Sequence, residues 1–235
     1  MPETFDFERA WLAKFAFGIE KQAGAKTRDE VLKDSQELSE KSSRADIIAW
    51  SKAALQRLEE LVEENQAQQI MTGCACQYPK EQLQDIQIEF EKEKSVDLAQ
   101  QRLQDRFIHF LESNLGMEEA IIAEIISRGW GLAGVKQGNT IIATKLPKSG
   151  SLMDYLNERD PQRKRQYYCH CPRVRELLKT GETISALYCY CGAGYYKGIW
   201  ETITQQPVQV EVQESVLWGD EVCRIAVQLP EDSLP

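Results

Sequence analysis

Three Cys-x-Cys units punctuate this chain: Cys74-Ala75-Cys76, Cys169-His170-Cys171 and Cys189-Tyr190-Cys191, with Cys223 as the seventh cysteine. In extended backbone, residues two apart face the same way, so both sulfurs of a unit can approach one ion. In a helix they diverge by about 200° around the axis and chelate poorly. Thiolate is a soft ligand, and with two histidines in the chain a tight site must be mostly sulfur. The spacings of iron–sulfur proteins are absent, so zinc is the expected metal. The predicted metal set is four of Cys169, Cys171, Cys189, Cys191 and Cys223. A closed thiolate set leaves no position for water, which makes the site structural. Cys74 and Cys76 read as a second dithiol, or as the cap of a helix end. Two other readings stay open: buried cysteines acting as small hydrophobes, and transient dithiols whose strained disulfides reduce easily.

Aromatic residues crowd the same third of the chain. Tyr195, Tyr196, Trp200 and Trp218 read either as core or as the wall of an apolar ligand pocket. His109 is a further pocket candidate, beside the face formed by Leu103 and Phe107. His170, between two cysteines, points away from them in a strand and reads as a surface or hydrogen-bonding group. Arg163, Lys164, Arg165, Arg173 and Arg175 make a local basic cluster, read as a solvated surface or as an attractor of an anionic ligand. No Ser–His–Asp set or zinc-protease helix is present.

The chain has 235 residues, 42% of them hydrophobic and 28% charged, the composition of an ordinary globular protein. Its net charge of −9 argues against a nucleic-acid binder, which needs clustered Lys and Arg. The most apolar stretch, around residues 120–135, is interrupted by Glu124 and Arg128 and is too short to span a bilayer. Glu3, Asp6 and Glu8 stand where a signal peptide carries positive charge. A cytoplasmic location with reduced thiols is the expectation.

These groups must be positioned by a helical first half and a mixed second half. Trp11, Phe15 and Ile19 repeat every four residues along one helical face. Thr27 with Glu30 reads as a capping box opening a second helix, and Ser43 with Asp46 as the start of a third that ends near Gly73. Residues 82–94 fit either a strand, from the alternation of Ile86, Ile88 and Phe90, or an exposed helix. Helices follow over 98–111 and 117–127, then a β-hairpin over 135–145 turning at Gly138-Asn139. Residues 149–165, polar and with Pro147 and Pro161 near the ends, read as a linker or domain edge. Beyond it come a helix at 174–179, a strand at 184–190, a helix at 193–202 and β-rich segments at 207–218 and 222–229. The predicted class is α+β. A helical region spans 1–130 and a Cys-rich α/β domain 131–235, with one shared core left open as an alternative.

Residues 187–229 resemble the C-terminal half of the hydrocarbon-binding, vinyl-4-reductase-type domain. The matching elements are Cys189, Gly194-Tyr195, the strand through Glu214, Gly219-Asp220 and Cys223. The wider pattern, Cys-x-Cys near an early helix end and CHC before CYC, is similar to a bacterial Cys-rich family. Some of its members are described as L-2-amino-thiazoline-4-carboxylic acid hydrolase. The first resemblance implies the α/β fold of vesicle-tethering subunits, a pocket for a small apolar or aromatic ligand, and a nearby zinc. Cys189 and Cys223 match two of that zinc's ligand positions. Val212 and Ser215 occupy the other two, so either Cys191 and the Cys169–Cys171 pair replace them or the site is rebuilt or lost.

The expected function is therefore that of a small-molecule-binding protein with a Cys-ligated zinc, no nucleic-acid partner and no membrane span. The alternatives are a metal- or thiol-dependent hydrolase of a small cyclic substrate and a dithiol redox or metal-handling protein. Homodimer formation is left open.

Overall fold

The computed structural model describes residues 6–36, 38–39 and 41–230; Glu3 lies outside them. Among the described residues, ten α-helices accompany one four-stranded antiparallel sheet, so the α+β class holds. The chain forms two compact units, each discontinuous in sequence. One draws on Met1–Cys76 and Cys171–Gly194, the other on Gln77–His170 and Tyr195–Pro235. Among the described residues no helix is long and apolar enough to cross a membrane.

The first unit is helical. Helix α1 (Phe7–Val31) opens on an Asp6 cap and buries Trp11, Phe15 and Ile19 along one face. The helix expected to start at Thr27 is instead the continuation of α1 past a break at Gly24, where φ is 84°. Thr27 does not cap anything: its hydroxyl donates back to Ala23 O at 2.9 Å. Ser43 does cap α2 (Arg44–Leu61), accepting from Asp46 N at 3.1 Å. The single helix expected up to Gly73 breaks at Val62, which is extended, and resumes as α3 (Glu64–Gly73). Phe15, Ile19, Ile47, Leu55, Leu58, Ile70 and Met71 fill the core between these helices.

The second unit holds the sheet. Residues 82–94 are helical: in α4 (Gln84–Glu93) Ile86 and Phe90, four apart, are buried while Ile88 is 58% exposed. Helical period therefore wins over the apparent alternation. Helices α5 (Val96–Ser113) and α6 (Glu119–Ser127) follow, then the hairpin of β1 (Val135–Gln137) and β2 (Thr140–Thr144). The expected linker contains α7 (Leu152–Asn157) and α8 (Pro161–Tyr168). Here Asp160 caps and Pro161 occupies the first turn, where a missing N–H costs nothing, so the proline starts a helix. The remaining helices are α9 (Pro172–Thr180), in the first unit, and α10 (Tyr190–Thr204), whose residues from Tyr195 on belong to the second. The strand expected at 184–190 is a 3-10 turn (Ala186–Cys189) leading into α10. Strands β3 (Gln209–Glu214) and β4 (Arg224–Gln228) complete the sheet in the order β1-β2-β4-β3. Ile141, Ala143, Val212, Ile225 and Val227 are its buried face.

Candidate functional site

The residues with chemical potential gather in the first unit around Tyr188. Cys171, with extended backbone (φ −74°, ψ 123°), is the N-cap of α9. Arg173, Val174 and Leu177 form the buried face of that helix. Arg173 is 2% exposed, so a cation occupies an apolar-face position. It is compensated on three sides. Nη2 donates to Glu8 Oε2, Nη1 donates to Tyr188 Oη at 3.0 Å, and the guanidinium lies 4.7 Å from the Trp11 ring centre. Glu8, 3% exposed, also accepts from Arg44 Nη1 at 2.9 Å. Burial alone would weaken the Arg173 charge. Tyr188, Glu8 and Cys171 outweigh it and raise the guanidinium pKa. Its Nε has no acceptor among the described residues.

The Cys171 sulfur lies 3.3 Å from Tyr188 Oη, the oxygen that also accepts from Arg173. The phenol thus joins a buried cation to a sulfur. Burial first, then Cys171, holds the Tyr188 hydroxyl well above the ordinary phenol value; Arg173 opposes the shift and Cys191 adds to it. Tyr188 therefore keeps its proton and has it to donate.

Two more thiols act on this network. A Cβ at Gly194 would lie 2.0 Å from Thr72 O and 2.8 Å from Ala75 Cβ. Only glycine lets the first turn of α10 come this close to the end of α3. Cys74 caps α3, is 1% exposed and has its sulfur 3.5 Å from Ile70 O. Burial and then the Cys191 sulfur drive the Cys74 thiol upward, with Lys14 and Arg173 in opposition. One cysteine of each Cys-x-Cys unit is therefore part of a single electrostatic cluster: Cys74, Cys171 and Cys191.

The other predicted ligands lie elsewhere. Cys76 is exposed, and Cys189 is half-buried at the end of the 3-10 turn. Cys169, at the end of α8, and Cys223 belong to the second unit. Burial raises the Cys223 thiol against the pull of Lys145, Val216 and Ser215. Tyr168 Oη accepts the Cys223 N–H at 2.9 Å and donates to Lys145 O at 2.5 Å. The five predicted zinc ligands are thus shared between the units. No three Cys, His, Asp or Glu side chains among the described residues form a group that could hold a metal ion. Only Cys169 and Cys171 are extended at both ends of a unit; Cys191 is helical and Cys74 has helical backbone.

Of the predicted pocket residues, Trp200 is fully buried and Tyr196 nearly so, its hydroxyl donating to Gly131 O at 3.1 Å. Tyr195 meets Tyr78 and Tyr196 edge-on, and Trp218 is half-exposed. His109 is exposed on α5, with Nδ1 3.3 Å from Ser113 Oγ. His170 is exposed, and its Nε2 lies 2.8 Å from Leu146 O.

Sequence reasoning missed Glu8 and treated Arg173 as surface charge. A signal was present: Glu8 lies three residues before Trp11 on the buried face of α1, and Arg173 four before Leu177 on that of α9. A family model described as a family of unknown function (DUF6144) matches residues 156–233, the stretch holding Cys169, Cys171, Cys189, Cys191 and Cys223. No curated protein and no solved structure matches the chain.

Proposed function

We propose that the chain is a dithiol redox protein in which Cys171 is the attacking sulfur and Cys191 the second thiol. The observation that carries this reading is the shared phenol oxygen: Tyr188 Oη receives Arg173 at 3.0 Å and lies 3.3 Å from the Cys171 sulfur. When Cys171 is a thiolate, the Tyr188 hydroxyl turns its proton to the sulfur. Arg173, donating to the same oxygen, strengthens that bond. The N-terminal end of α9 adds its positive pole. The substrate class is a small disulfide. The Cys171 thiolate attacks one sulfur, a mixed disulfide forms, and the other sulfur leaves as a thiolate. Cys191, at the start of α10 in the same unit, then attacks the Cys171 sulfur. The second substrate thiolate leaves, an intramolecular disulfide remains, and the two cysteine protons pass to the released thiolates or to water.

The test uses the exposed Cys76 as its benchmark. If exposure alone governs reactivity, Cys76 reacts first with limiting iodoacetamide; in the proposed arrangement Cys171 does. Peptide mapping after oxidised glutathione should find Cys171 as the mixed disulfide, then bonded to Cys191, and Tyr188→Phe should slow both steps. Cys171 reacting no faster than Cys76 would sink the proposal.

A hydrocarbon-binding-type arrangement is supported by element order: α10 after Cys189, then β3 and β4, with Gly219-Asp220 and Cys223 between the strands.

A further inference from the structure

The outward face of the sheet, in the second unit, is not a plain polar surface. Val135 stands opposite Ile142, and Thr144 opposite Arg224. Alternate residues share a face, so these four lie on the side away from buried Ile141, Ala143 and Ile225. The end of α6 brings Arg128 over the same region, and the bulge between Val212 and Glu214 adds Gln213 to the lining. The result is an open cleft of about 450 Å³, a volume suited to a small organic molecule. Its lining combines two guanidiniums with the aliphatic side chains of Val135 and Ile142 and the amides of Gln137 and Gln213.

Both arginines are oriented without being used up. The Arg128 guanidinium lies 4.9 Å from the Trp130 ring centre, and its Nη2 donates to Glu124 Oε1. The Arg224 Nη1 donates to Glu214 Oε1. A guanidinium carries five N–H donors, and each carboxylate here engages one of them. Both pairs are partly exposed, at 42%/46% and 39%/35%, so they contribute little and leave donors facing solvent. A planar carboxylate is the group that fits two such donors at once. Beside it, Val135 is 49% exposed and gives the cleft an aliphatic surface.

We propose that this cleft binds a small organic carboxylate with an apolar body, its head group on Arg128 and Arg224 and its body on Val135 and Ile142. The site belongs to the second unit and does not depend on the thiol chemistry of the first. Arg128 is seated by the Trp130 ring and by Glu124, and Gln137 and Gln213 line the same cleft for a polar substituent.

The probe is benzoate, titrated by calorimetry and ligand-observed NMR into the full chain, with benzyl alcohol and acetate as controls. Benzoate should saturate in the millimolar range, roughly what so few atoms can achieve. Benzyl alcohol, lacking the charge, and acetate, lacking the ring, should each bind more weakly. Arg224→Gln and Arg128→Gln should each raise the benzoate Kd by about tenfold or more, the loss expected for a charge-assisted bond. Arg224→Lys, which keeps the charge and the fold of β4 but not the fork, should fall between. Equal saturation by benzoate and benzyl alcohol would overturn the proposal. So would no benzoate binding up to about 10 mM, or an unchanged Kd in Arg224→Lys and Arg128→Gln with native circular dichroism.

Discussion

Replacing Glu8 by Gln removes the carboxylate of Arg173 while keeping its shape. Arg173 is 2% exposed and would keep a neutral amide oxygen, the Tyr188 oxygen and the Trp11 and Tyr188 rings as partners, with no carboxylate to balance its charge. Breaking a buried pair by removing one member typically costs about 3–5 kcal/mol, because the remaining charge stays desolvated. The Trp11 contact is worth about 1–2 kcal/mol at a buried site and survives the substitution, which puts the expected loss near the lower end, about 3 kcal/mol. The converse change, Arg173→Met, is milder. It leaves Glu8 with Arg44 at 2.9 Å, whose side chain is 40% exposed and can draw water to the carboxylate. About 2 kcal/mol is expected there, and in Glu8→Gln/Arg173→Met the losses should fall short of additivity by about 1 kcal/mol or more. Urea unfolding followed by tryptophan fluorescence measures all three, with unchanged m-values as the check on the denatured state. The reasoning fails if Glu8→Gln stays within about 1 kcal/mol of the parent, or if Arg173→Met costs more than Glu8→Gln.

Further predictions concern the groups around this pair. Burial first raises the Cys74 and Tyr188 hydrogens' hold, as it does that of Tyr196, so the folded state keeps protons that the unfolded chain releases. Stability should then be level below the unfolded thiol value, about pH 8.5, and fall as pH rises above it. A curve still flat near pH 10 would contradict this, and Cys74→Ala should flatten its first part. Gly194→Ala sets a Cβ 2.0 Å from the Thr72 carbonyl, a backbone clash that no rotamer relieves. It should cost about 2 kcal/mol or more, whereas Gly73→Ala, with nothing within 4 Å, should be neutral or slightly stabilising in thermal melts. Tyr196→Phe orphans the Gly131 carbonyl, now bonded at 3.1 Å, and should cost about 1 kcal/mol in the same urea assay.

The helical half was readable where one face carries the signal, as at Trp11, Phe15 and Ile19, and the hairpin was readable from Gly138-Asn139. The misreadings and the readings left open share a cause: a local cue with two structural meanings. Pro161 marks a loop when read alone and a helix start when preceded by a cap at Asp160. The alternation of Ile86, Ile88 and Phe90 fits a strand until burial selects Ile86 and Phe90. The chelate argument for the cysteines depended on extended backbone, which Cys169 and Cys171 have and Cys191 lacks.

The cluster itself was only half legible, for a reason that reaches beyond this chain. Glu8 and Arg173 each sit on an apolar helix face, and taken singly each looks like an error, because a lone charge there would be expelled or neutralised. They lie 165 residues apart, so no window of sequence contains both halves of the compensation. What a sequence can reveal is the misplaced charge; what the fold adds is its partner. In this chain that partner also carries, through Tyr188, a contact to the Cys171 sulfur. A buried ion pair retained only for stability could be exchanged for apolar residues at little cost. If this one is retained to orient a phenol toward a sulfur, an apolar pair at positions 8 and 173 should restore stability without restoring the reactivity of Cys171.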